Sequence, residues 1–424
     1  MEPPEIPADG SPADLSHHEL PPGLVLGSYT IVGLMARGGM AEIYLALTSD
    51  ERARPVVIKR VLPHLPEKDD PHAMFADEAA LSARLHHANV AEVLDVVEVE
   101  GSLFIVLEHL HGADALEILK TCDRLRRRVP YEVAVQILLG IAAGLHYAHE
   151  LRGPEGEALH VIHRDVSPQN LFVTFEGNVK LLDFGLAKSI FRAATTRDGA
   201  AKGKLSYMSP EQVMTRPLDR RTDVFSLGIC MWELTVGLKL YDTNRGELTI
   251  VQEILEKRPP APSEIYADYP KALEAVVMRA LAKRPDERYP TVFAMARALE
   301  AAAREAGITP SREALAEFMV ELFPERASFD AESASHDLHA LELANRREDG
   351  KREGTEPEPP PEGDARRAIL QTQRVAPLRN VEIPVETPAP VEPEPASRAP
   401  VIFFRIAVAI SLVMLGAALA VWLR

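Results

Sequence analysis

One change of rhythm limits this chain more than any other feature. Between residues 29 and 108 apolar residues alternate with polar ones in short runs; after Ala113 they recur mostly at helical spacing. The alternating runs are 29–34, 43–46, 56–59, 93–99 and 103–108, and Glu100, Gly101 and Ser102 supply a turn between the last two. One helical stretch, 71–85, interrupts them, with Ala79, Leu81 and Leu85 on its apolar side. Beyond Ala113 the spacing predicts helices over 133–149, 225–236 and 273–281, with short strands at 171–173 and 179–182. Strands gathered first and helices second predict an α+β arrangement of two lobes.

The flanks read differently from residues 28–303, which are globular in pattern throughout. Residues 1–27 are rich in Pro, Asp and Glu, carry no apolar core and lack the pattern of a signal peptide, so they read as a disordered lead. Residues 304–345 read as a short helical appendix, because Leu315, Phe318, Met319, Leu322 and Phe323 fall at helical spacing. Residues 346–400 are Pro- and Glu-rich and form a solvated, disordered linker. Residues 401–423 are apolar apart from Arg405. The uncharged run 406–423 reaches about 27 Å as a helix, which predicts a transmembrane helix and a cell-membrane anchor. Arg398 and Arg405 suit an orientation that keeps the globular part cytoplasmic. Gly416 and Ala420 form a small-residue pair on which two such helices can meet as a homodimer.

Acidic residues outnumber basic ones 63 to 47, a net charge of −16, which argues against nucleic acid as a partner. Two cysteines, Cys122 and Cys230, exclude a disulfide scaffold and a four-cysteine zinc site.

Four short constellations carry chemistry. Met35, Ala36, Arg37, Gly38, Gly39, Met40, Ala41, Glu42 and Ile43 form a small-residue loop between two predicted strands, where backbone N–H groups can approach phosphates. Lys59 on the next strand supplies a cation, and Glu78 on the predicted helix an anionic partner for it. His163, Arg164, Asp165, Val166, Ser167, Pro168, Gln169 and Asn170 hold a carboxylate and, five residues on, a carboxamide. Asp183, Phe184 and Gly185 follow a short strand and offer a carboxylate to a hard cation such as Mg²⁺. Each alone has a bland reading as a hairpin, a surface acid or a polar turn.

Their order does not. Small-residue loop, lysine, helical glutamate, His-Arg-Asp with Asn, Asp-Phe-Gly, then Tyr207-Met-Ser-Pro-Glu211, Asp223 and Arg288 together resemble the eukaryotic-type protein kinases, and among them the bacterial Ser/Thr kinases. The catalytic-loop wording is similar to that of myxobacterial kinases. The resemblance covers residues 28–303 and implies a bilobal protein-kinase fold, with a β-rich first lobe and an α-rich second.

The resemblance also implies roles. ATP would lie under the loop 35–43, where Ala36, Gly38 and Ala41 take the family's three glycine positions and Ile43 covers the adenine. Lys59 would touch the α- and β-phosphates and pair with Glu78. Leu107 falls at the gatekeeper, Glu108 to Leu110 at the hinge, and Asp114 at the ribose. Asp165 would be the catalytic base; Asn170 and Asp183 would hold Mg²⁺. Asp223 would brace the catalytic loop, and Glu211 and Arg288 would pair. Arg164 would receive a phosphorylated activation-loop residue, with Thr195 and Thr196 as candidates.

Two positions depart from the family's pattern. Ser167 stands where most Ser/Thr members have a lysine that contacts the γ-phosphate, and Lys204 stands where most have a threonine bonded to the catalytic Asp. The expected activity is a membrane-anchored Ser/Thr protein kinase acting on protein substrates. The competing readings are a pseudokinase scaffold and a small-molecule kinase on the same fold. Lys59, Asp165, Asn170 and Asp183 favour catalysis, and the intact stretch from Asp183 to Glu211 favours protein substrates.

Overall fold

The alternating runs become strands because their apolar side chains fall on one face of a sheet at period two. In this computed structural model, which describes residues 19–38, 41–61, 79–99, 102–184, 204–242, 245–328 and 373–374, the first lobe is built from β1 (Val25–Leu26), β2 (Tyr29–Arg37), β3 (Ala41–Thr48), β4 (Pro55–Val61), β5 (Val93–Val99) and β6 (Ser102–Glu108). They form one antiparallel sheet in the order β1-β2-β3-β4-β6-β5, and a two-residue strand, Gln373–Arg374, adds to the β5 edge. Of the expected turn at residues 100–102, Ser102 begins β6 and the other two lie outside the described residues, as does the expected helix except for its last helical turn at 79–82.

Alternation gives this sheet two different faces. Ile31, Tyr44, Ile58, Phe104 and Val106 pack on one, and Leu20 from the preceding segment covers them, its N–H bonded to Tyr44 Oη at 3.1 Å. Val96, Ile105 and Ala79 pack on the other, with Leu103 and Leu107 beside them. Ile43 sits opposite Lys59 in the β3–β4 register, so both belong to that second face, which looks into the cleft between the lobes.

The second lobe begins at β7 (Gly112–Asp114) and continues through α1 (Ala115–Arg124), α2 (Tyr131–His149), β8 (Leu171–Thr174), β9 (Val179–Leu181), α3 (Pro210–Val213) and α4 (Arg221–Val236). It ends with α5 (Glu247–Glu256), α6 (Pro262–Ile265), α7 (Lys271–Ala280), α8 (Val292–Glu305), α9 (Arg312–Leu322) and α10 (Pro324–Ala327). Among the described residues α2 is the one helix long and apolar enough to cross a membrane. Here it is the central core helix, with Ile137, Leu138, Ile141 and Leu145 fully buried. Helix α4 is buried on every side, which accounts for its apolar residues lacking a single stripe. It stops at Gly237, whose φ of 80° lets its N–H bond Glu233 O at 2.8 Å.

Strands β7, β8 and β9 make a second small sheet, with Asp114 opposite Phe172 and Leu171 opposite Leu181. It places the end of β7, the residues just before β8 and those just after β9 at one edge of the cleft. Residues 304–328, the described part of the expected helical appendix, pack onto this lobe. Leu315, Phe318, Met319, Leu322 and Phe323 are buried in the same core as α2. The remainder of that expected segment, most of the linker and the expected membrane helix lie outside the described residues.

Candidate active site

The loop before β8 is held in a shape that a chain seldom adopts on its own. Arg164 in this loop has φ 65° and Asp183, after β9, has φ 42°, both in the left-handed region that non-glycine residues avoid. Such conformations cost roughly 1–3 kcal/mol each and persist where surrounding bonds impose them. Asp223, at the start of α4, supplies those bonds for the loop. Its carboxylate accepts from His163 N at 2.8 Å, Arg164 N at 2.9 Å and His149 Nε2 at 2.7 Å. Gln212 Nε2 donates to Arg164 O at 2.9 Å. Burial works against ionising Asp223, but the His149 ring, His163 and the backbone N–H groups outweigh it and hold the carboxyl below its ordinary range.

This bracing aims Asp165. Asn170 Nδ2 donates to Asp165 O at 2.7 Å and reaches its Oδ2 at 3.3 Å. Lys204 Nζ donates to the same Oδ2 at 2.9 Å, so an ammonium group sits directly on the carboxylate. Ser167 Oγ is buried without a hydrogen-bond partner among the described residues. His163 Nε2 bonds Leu182 O at 3.0 Å and its ring lies 4.8 Å from that of Phe184, which ties this loop to the one carrying Asp183.

Asp183 Oδ1 accepts from Lys59 Nζ at 2.9 Å. Lys59 is almost fully buried on β4, so the ion pair crosses from the first lobe to the second. Glu78, its expected partner, lies outside the described residues, as do Gly185, Thr195 and Thr196. Leu107, Ile105, Leu85 and Phe184 line a small cavity against Lys59 and Asp183. Asp183 and Asn170 offer hard oxygen donors, a carboxylate and a carboxamide whose nitrogen is spent on Asp165. That donor chemistry fits Mg²⁺.

The loop residues divide by face. Met35, Ala36, Arg37 and Gly38 are exposed at the tip of a tight hairpin, closed by Gly38 N donating to Ala41 O at 2.9 Å. Gly39 and Met40 lie outside the described residues. Ile43 shares the cleft face with Lys59, whereas the Glu42 side chain points to the opposite face. There it accepts from Tyr44 Oη at 2.6 Å and pairs with Arg37 at 2.8 Å and Arg60 at 3.4 Å. Glu42 therefore contributes backbone alone to the loop. Its alternation with Ile43 was the available signal.

At the hinge, Glu108 accepts from Lys180 Nζ at 2.6 Å and from Glu92 N at 2.8 Å, so its side chain binds the lobes together. Leu110 follows, half-buried. Asp114 is the N-cap of α1 and accepts from Glu117 N at 2.8 Å. Burial raises its carboxyl above the ordinary range, against the pull of that bond.

Glu211 and Arg288 form a bidentate pair at 2.6 and 2.8 Å, with Thr222 Oγ1 donating to Glu211 at 2.9 Å. Burial opposes the Glu211 charge, but Arg288 prevails and lowers its carboxyl. Sequence reasoning missed Gln212, Lys180 and the pair of Tyr207 Oη with Glu233 at 2.7 Å, because each partner lies far along the chain.

The arrangement presents an aimed carboxylate with an ammonium beside it, and a second lysine–aspartate pair on the adjoining loop that joins the two lobes. The family described as protein kinase domain matches residues 29–299. The tyrosine-protein kinase MasK of Myxococcus xanthus is 42% identical over 276 residues, which cover 65% of this chain and 43% of that protein. The serine/threonine-protein kinase PksC of Streptomyces coelicolor is 33% identical over 275 residues, 63% of this chain and 48% of its own length. This chain thus spans under half the length of these relatives. The PknI kinase domain of Mycobacterium tuberculosis superposes with a TM-score of 0.52 at 26% identity, covering 68% of this chain and 100% of that domain.

Proposed function

The chain belongs to the protein kinase domain family, and from that premise we propose that it transfers the γ-phosphate of ATP to serine and threonine hydroxyls of protein substrates, while residues 401–423 anchor it to the cell membrane. The observation that carries this reading is Asp165, held by Asn170 on a loop that is braced by Asp223 and bonded through His163 to the residue before Asp183, the partner of Lys59.

ATP would lie between the loop 35–43 and the hinge, with Ile43 and Leu107 against the adenine and Asp114 beside the ribose. Lys59 supplies a fixed cation for the phosphates. Asp165 accepts the proton of the substrate hydroxyl as its oxygen attacks the γ-phosphorus and the bond to the β-phosphate oxygen breaks, leaving ADP. Asn170 and Asp183 would hold Mg²⁺, which when bound neutralises charge on the transferring group. Lys204 holds the Asp165 carboxylate in place, and puts a cation beside the developing charge.

The relatives carry both serine/threonine and tyrosine names. Tyrosine transfer is therefore a second reading. The test is incubation of the full chain with labelled ATP, Mg²⁺ and generic protein substrates, followed by acid hydrolysis and separation of the phosphoamino acids. Label in phosphoserine and phosphothreonine supports the first reading, and label in phosphotyrosine the second. Nucleotide binding without transfer would leave the scaffold reading.

A further inference from the structure

The family's domain match ends at residue 299, but the fold does not. Helices α9 and α10 continue past it, and an apolar stripe from Leu315 to Phe323 binds them into the core. Their polar contacts fall in three places. Arg312 Nε donates to Glu176 O at 2.8 Å in the β8–β9 turn, and Arg127 pairs with Glu321 at 2.9 Å. The last of these contacts bracket a single residue. The Arg326 guanidinium donates to Gly112 O and pairs with Glu117 at 2.5 Å, while Arg326 O accepts from His111 Nε2 at 2.9 Å.

Gly112 lies two residues before Asp114 and Glu117 three residues after it. Asp114 itself accepts from Glu117 N. Gly112 has no slack on its other side, because a Cβ there would lie 1.9 Å from Val173 O. The start of β7, just past the hinge, is thus gripped between β8 and Arg326, and Glu117 in the first turn of α1 is held by the same guanidinium. A planar fork with two partners fixes orientation as well as distance.

We infer that Arg326 is a positioning residue for the nucleotide pocket: a helical extension outside the kinase domain as the family delimits it sets the ribose edge of the cleft. The inference rests on the ATP reading above. A looser edge makes nucleotide binding bear the cost of ordering Asp114 and the hinge, so affinity falls while the chemistry at Asp165 is untouched.

The experiment compares the full chain with Arg326→Ala, Arg326→Lys and, as a control, Arg127→Ala, which cuts the extension contact that lies away from Asp114. KM for ATP and kcat are measured alongside the Kd of a fluorescent ADP analogue. Arg326→Ala is expected to raise KM and Kd together by about 3- to 10-fold with kcat within about twofold, the range of one or two partly exposed charge-assisted bonds. Arg326→Lys falls between, and Arg127→Ala leaves both constants unchanged. Unchanged constants in Arg326→Ala, or an equal rise in Arg127→Ala, would overturn the inference. A chain that binds the analogue without transferring phosphate would refute the kinase reading and leave the Kd arm to decide Arg326. A chain that binds no nucleotide would overturn both.

Discussion

Replacing Lys204 by methionine keeps the length of the side chain and removes its charge. In the structure that charge sits 2.9 Å from Asp165 Oδ2. Asp165 is 4% exposed and Lys204 30%, so solvent screens the pair only in part. Hydrogen bonds to charged groups contribute about 1.5–3 kcal/mol, more than neutral ones. If the ammonium acts when the phosphoryl group moves, that whole amount is lost from the barrier, which is about 10- to 150-fold in kcat. KM for ATP should change by less than about threefold, because Lys59 and the hinge are untouched. Lys204→Arg retains a cation within reach and should lose less than about tenfold. Initial rates at saturating ATP and protein substrate read both numbers, with thermal melting to show that each variant is folded. A methionine variant with wild-type kcat, or an arginine variant as slow as the methionine one, refutes the argument.

Asp165→Asn and Asp183→Asn should each lower autophosphorylation by at least about 100-fold with little change in melting, since no other described group accepts the hydroxyl proton or supplies that carboxylate; either variant at full activity would end the role assignment. Arg288→Met leaves Glu211 as an unpaired buried carboxylate and should cost about 3–5 kcal/mol, read in a melting scan as a fall of about 6–20 °C. The folded-state pKa values of Glu211 and Asp223 are both depressed, so their contribution to stability is complete above the unfolded carboxylate range. It is lost as pH falls from about 5 downward through the lowered folded values, and melting scans from pH 7 to pH 3 should show that slope, shallower in Arg288→Met. The full chain should sediment with membranes and resist carbonate extraction, whereas residues 1–400 should stay in the supernatant; a full chain found wholly in the supernatant rules the anchor out.

The local elements were legible because they follow from short-range rules. Period-two runs gave β2 to β6 to within a few residues, and the long apolar stretch gave α2, whose stripe needs no distant partner to declare itself. The motif order singled out Asp165, Asn170, Asp183 and Lys59; in the structure Asn170 holds Asp165, and Lys59 pairs with Asp183. What sequence could not assign was which charged groups meet. Lys180 and Glu108 are separated by 72 positions, Lys59 and Asp183 by 124, and Arg326 and Glu117 by 209. Nothing in the spacing of either partner encodes such a meeting, since it depends on how the lobes and helices pack.

The same holds for the boundary at residue 303. The sequence by itself determined that a helix follows, through the spacing of Leu315, Phe318, Met319 and Leu322. Only the tertiary structure decided that its apolar stripe closes the core of the second lobe and carries Arg326 to β7. An apolar stripe states that a helix must be covered, and hydrophobic burial is non-directional, so it does not state by what. The answer lies in the shape and charge of the surface it meets: here the strip of Gly112, Glu117 and Glu176, where polar groups with fixed geometry select one docking pose.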